Sequence, residues 1–109
     1  MIPIIFRDFI NKLLAETESD SIRWQEVGDL SYTCARNEVK VFVSRHWDED
    51  RSEGWFSFRV ITLDGDSVPF FVREADGDDF HYIERVFQAV IANASNVGVS
   101  LQRFFGPSP

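Results

Sequence analysis

Between Ile22 and Val72, apolar side chains recur at every second position in five short runs. They read Ile22-Trp24, Leu30-Tyr32-Cys34, Val39-Val41-Val43, Phe56-Phe58-Val60 and Val68-Phe70-Val72. A period of two sends alternate side chains to opposite faces of an extended strand, so each run predicts a half-buried β-strand. Turn-forming residues separate most of them: Gly28-Asp29, Arg36-Asn37-Glu38 and Asp64-Gly65. Every connection is short enough for a hairpin, whereas parallel pairing needs a crossover of a dozen residues or more. The pattern predicts an antiparallel meander. Asp64-Gly65 suggests a type I′ turn, which requires positive φ at both central residues. Pro69 lies inside the last run and has no N–H to give, so that strand is expected at a sheet edge or at a bulge.

The flanks change period. Phe6, Phe9, Ile10, Leu13 and Leu14 recur at three- and four-residue spacing, with Pro3 tolerated near the start and the pattern ending from about Glu16. Phe80, Ile83, Val86, Phe87, Val90 and Ile91 make a second helical stripe, and Asp78 or Asp79 is well suited to cap it. Residues 96–105 are expected to add a short helical segment, with Phe104 or Phe105 covering one end of the core. Each helix has one apolar stripe to bury, and both stripes fit one sheet face. The expectation is an α+β two-layer sandwich over residues 1–109 as one domain: N-terminal helix, antiparallel meander of about five strands, C-terminal helix on the same face. The other face would carry Lys40, Phe42, Ser57, Arg59, Ile61 and Phe71, a partly apolar surface suited to association.

Composition supports such a core. Eleven Phe and three Trp supply large apolar side chains, so 109 residues can bury enough surface without a disulfide. Cys34 is the only cysteine, and a lone thiol suits a reducing compartment. The opening MIPIIFRDF has no basic leader, and Arg7 and Asp8 interrupt its apolar run. A cytoplasmic location is expected. Eleven Lys and Arg against eighteen Asp and Glu give a net charge of −7. Nucleic acid and anionic membranes are held by clustered cations, which are scattered along this chain. An acidic chain favours a basic protein surface instead.

Searches for chemistry return little. His46 with Asp48 and Asp50, and His81 with Asp78 and Asp79, fall short of the three-ligand set of catalytic zinc. The stretch DGDD at 76–79 lacks the residue order and the closing Glu of a calcium loop. Cys34 alternates with apolar neighbours like an inert core thiol, and no nucleophile elbow, phosphate loop or dinucleotide fingerprint is present. No cofactor, metal or catalytic residue is expected.

One stretch stands apart. HWDEDRSEGWFSF, residues 46–58, sets Trp47 and Trp55 around Asp48, Glu49, Asp50, Arg51, Ser52 and Glu53. Aromatic anchors within a charged rim are what interface hot spots are built from. The competing reading is that the two indoles close a hairpin as a cross-strand pair. Trp47, Asp48, Glu49, Asp50 and Trp55 are the candidate partner-binding residues. In outline alone, a small acidic helix–meander–helix chain resembles the stand-alone inhibitor and immunity-like proteins of bacteria and their phages. That resemblance implies docking on a basic partner; the alternatives are a homodimeric accessory subunit joined through the open sheet face and, behind it, a small enzyme or ligand-binding domain.

Overall fold

The computed structural model describes residues 1–106. Along the chain come α1 (Ile4–Glu18), β1 (Gln25–Gly28), β2 (Ser31–Arg36), β3 (Val39–Asp48), β4 (Glu53–Ile61) and β5 (Ser67–Arg73). A 3₁₀ turn at Glu74–Asp76 then leads into α2 (Asp78–Ser95) and α3 (Val97–Phe104). The strands form one antiparallel sheet in chain order, and α1 and α2 cover the same face of it. The fold is the α+β sandwich that the alternation predicts.

Side chains follow the two-residue period. Tyr32, Cys34, Val41, Val43, Phe56, Phe58, Val60, Phe70 and Val72 are buried beneath the helices. Register aligns Tyr32, Val43, Phe58 and Phe70 in one row across four strands. Phe6 of α1 packs 5.2 Å from the Phe70 ring, while Phe80 and Phe87 of α2 each lie 5.3 Å from Phe56. Pro69 sits on β5, an edge strand, where its missing N–H is harmless.

The turns differ in kind from expectation. Asn37 and Glu38 both take positive φ, 53° and 67°, so the I′ signature falls on the β2–β3 hairpin. At Asp64-Gly65 only the glycine is left-handed, with φ of 87°, and the Gly65 amide donates to the Thr62 carbonyl at 2.9 Å. That is a type I turn closed by a glycine bulge, not the I′ turn expected there. Leu30 lies in the β1–β2 turn rather than in a strand, with φ of 53°. Ile22 and Trp24 precede β1, yet both are buried.

Polar tethers fix the helices. Asp78 and Asp79 fall in the first turn of α2 and cap nothing; Gly77 holds the cap position. Asp79 instead accepts the Ile2 amide at 2.9 Å and Arg7 at 3.1 Å, which pins the start of α1. These bonds, the Ile2 amide first, hold the Asp79 carboxyl below its ordinary range. At the other end Asn93 is 4% exposed. Its side-chain oxygen accepts the Trp24 amide at 2.8 Å, and its nitrogen donates to the carbonyls of Ile22 at 2.7 Å and Thr17 at 3.2 Å. The Trp24 indole N–H reaches the Thr17 hydroxyl at 2.9 Å. The buried polar groups of this corner thus satisfy one another.

α3 is helical as expected, but Phe104 and Phe105 are 82% and 89% exposed and cover no core. Among the described residues no helix is long and apolar enough to cross a membrane.

Candidate protein-docking site

The stretch 46–58 is mostly strand. The β3–β4 ladder continues through His46↔Trp55, Trp47↔Gly54 and Asp48↔Glu53, leaving only residues 49–52 as the turn. β2 stops pairing with β3 at Ser44 and β5 stops pairing with β4 at Trp55, so the last two pairs stand beyond both neighbours as a two-stranded ribbon.

This register bears on the expectation that the two indoles close the hairpin as a pair. Trp47 and Trp55 are opposite Gly54 and His46 respectively, one residue out of step, and therefore point to opposite faces. They are not a cross-strand pair. Trp55 lies on the open face, stacked on His46 at 4.0 Å and edge-on to Phe71 at 5.7 Å. The Arg73 guanidinium sits 5.7 Å over the same indole. Trp47 has no such company and is 62% exposed.

The acids also divide. The Asp48 side chain accepts the amides of Asp50 at 3.0 Å and Arg51 at 3.3 Å, an Asx turn that shapes the tip. Its second oxygen is 3.9 Å from Arg73, which also lies 3.7 Å from Glu53. Glu49 and Asp50 are exposed and face solvent. Below the tip, the Gly54 amide donates to the Glu74 carboxylate at 2.6 Å, which ties the ribbon's base to the turn before α2. Of the five candidate residues, Trp47, Glu49 and Asp50 are thus presented outward, Asp48 builds the turn, and Trp55 is packed.

The open face holds what sequence order conceals. Register brings Phe42, Arg59 and Pro69 into one row, Ser44, Ser57 and Phe71 into the next, and His46, Trp55 and Arg73 into a third. Arg59 lies 4.7 Å over Phe42, and His46 Nε2 is 2.9 Å from the Ser57 hydroxyl. Burial holds the His46 imidazole below its ordinary value, toward the neutral form that stacks on Trp55. Cations scattered in sequence are therefore neighbours of aromatic rings here, which only the strand register reveals.

Cys34 faces the helices, and burial pushes its thiol up to about 12, well above the range of a reactive cysteine. Among the described residues no three His, Cys, Asp or Glu side chains gather as a metal site. No family model, curated protein or solved structure matches this chain.

Proposed function

We propose that this protein is a small acidic binding module, inhibitor-like, that acts in the cytoplasm by docking the tip of its β3–β4 ribbon on a basic surface of another protein. The observation that supports this most is Trp47, 62% exposed at the end of the ribbon beside the free carboxylates of Glu49 and Asp50. A large exposed indole contributes nothing to a monomer's core, and inside an acidic rim it has the make-up of an anchor. The ribbon is paired, and tethered through Glu74, so little ordering entropy remains to be lost on docking.

A partner captured from the native host supplies the test. Glu49→Gln with Asp50→Asn is expected to slow association and flatten its salt dependence, since exposed charges steer encounter. Trp47→Ala is expected to speed dissociation and weaken binding by about 2 kcal/mol or more. Capture that ignores both variants would remove the tip from the interface. A second reading, a homodimer formed through the open sheet face, is favoured by Phe71, which is 53% exposed beside Trp55.

A further inference from the structure

Charge is not spread evenly over this chain. The phase of β2–β5 that faces away from the helices carries Lys40, His46, Arg59 and Arg73, and its only carboxylates are Asp48 and Glu53. Those two acids sit opposite each other at the tip, both beside Arg73. From His46 to the far end of these strands the open face holds no acid. Lys40 and Arg59 are exposed there and make no ion pair among the described residues. Screening acts over about 8 Å in physiological salt. A ligand lying on this face therefore meets these cations rather than the net charge of −7, whose acids lie on the helices, in the turns and at the tip.

The face is also shaped. On its β1 side lies a cleft of about 480 Å³, bordered by Arg23, Gln25, Thr33, Lys40 and Phe42. That size falls in the usual range of small-molecule sites. Arg23 turns toward α2, where its guanidinium donates to the Asn93 carbonyl at 2.8 Å with Asp20 4.0 Å away. Lys40 is the cation left for a ligand, and Gln25, exposed at the rim, brings an amide with both donor and acceptor. The Arg59 guanidinium lies 4.7 Å over Phe42 and is itself exposed, so ring and guanidinium form one stacked platform. On the next strand Phe71 is 53% exposed and stands edge-on to Trp55. Phe42 and Phe71 are two strands and one row apart, roughly 12 Å by strand spacing and rise.

We infer that the open face binds single-stranded nucleic acid, with one nucleotide in the cleft against Phe42 and Arg59 and another base on Phe71. Unpaired bases offer flat π faces joined by an anionic backbone. Exposed rings and guanidinium planes stack the bases, and cations beside them meet the phosphates. An acidic peptide would satisfy Lys40 and Arg59 but leave the rings without flat partners, and sheets take up peptides along their edges rather than on this face. A duplex keeps its bases stacked on one another and offers mainly phosphates, for which two free cations are few. The outward residues of the tip take no part, since Trp47 has the opposite phase and Glu49 and Asp50 lie in the turn beyond Asp48. Protein docking and nucleic-acid binding therefore rest on different residues, and either is lost without the other.

Fluorescence anisotropy of a labelled single-stranded oligouridylate, titrated with the full chain at low salt, tests this. Saturable binding is expected, with log affinity falling against log salt at a slope of about −1.4 for two phosphate contacts. Lys40→Glu with Arg59→Glu is expected to weaken it tenfold or more, and Phe42→Ala or Phe71→Ala about fivefold or more each. Lys40, Arg59 and Phe71 are exposed, so those variants should melt with the wild type even if Phe42→Ala does not. No saturable binding at low salt would overturn the inference. So would a duplex or a polyglutamate peptide that competes as well as the unlabelled strand. An affinity that ignores both Phe42→Ala and Phe71→Ala would reduce the contact to charge alone and overturn it too.

Discussion

The covered face of the sheet and the tip of the β3–β4 ribbon are made by the same strands with the same alternation, yet they obey different rules. Under α1 and α2 the central inward positions are closed: Val43 is 0% exposed, and Phe56, Phe58 and Phe87 are 1% exposed. About 13 Å further along β3, Trp47 has the same inward phase as Val43 and is 62% exposed. Between the two, β2 and β5 stop pairing and only the β3–β4 ribbon continues, beyond the body that the helices cover. An inward phase therefore marks a core residue only where a second layer stands opposite. Large aromatic residues beyond that layer, as at Trp47 and on α3, stay exposed because nothing in the fold stands over them.

The comparison breaks first if the covered face is not the main source of stability. Phe58→Ala and Phe87→Ala each remove a buried ring, one from the sheet and one from the helix above it, and are expected to cost roughly 3–5 kcal/mol in urea melts. Losses under about 1 kcal/mol for both would mean that the two-layer core does not hold the fold.

A smaller effect is expected at the polar corner of the same layer. Asn93→Leu keeps bulk but strands the buried hydrogen-bond partners of the Asn93 side chain, the Trp24 amide and the carbonyls of Ile22 and Thr17. Leaving buried groups unpaired is expected to cost roughly 2–3 kcal/mol. The expected signature is that Leu is as harmful as Ala, since bonding rather than volume is lost. If Leu restores wild-type stability, the corner is held by packing alone.

How much of each feature is legible in the sequence depends on what the feature needs. Strand faces and the edge position of β5 are legible because a two-residue period and a proline are local facts. The reach of the ribbon is not: Arg45, His46, Gly54 and Trp55 show no apolar alternation, and the ladder extends through them by backbone pairing. The turn at Asp64-Gly65 takes the bulged form because its type depends on the register of β4 against β5. Asn93 is visible in principle, since it continues the spacing of Val86 and Val90 along the buried stripe of α2. Asp78 and Asp79 look like caps because a helix start is a local signal, whereas the Ile2 amide that claims Asp79 is 77 residues away. Phe104 and Phe105 look like core residues for the same reason: hydrophobicity tells that a residue should be covered, not by whom.

The finest test sets the two indoles of the ribbon against each other. Trp55 packs between His46 and Phe71 under the Arg73 guanidinium, so Trp55→Ala removes real contacts. Offset and edge-on aromatic contacts contribute beyond their buried area, and the loss is expected to be about 1–2 kcal/mol. Trp47 has only the Gly54 backbone opposite it and solvent over most of its ring. Trp47→Ala should shift stability by no more than about 0.5 kcal/mol, as surface changes do. Thermal melts of the two single variants and the double variant decide the matter, because indoles on opposite faces with no shared contact should be additive. A loss of several kcal/mol for Trp47→Ala, or strong coupling between the two, would make both tryptophans part of one hairpin core. Near-silence at Trp47 leaves a large, ordered aromatic side chain that the fold does not need, which is the condition a docking anchor must meet.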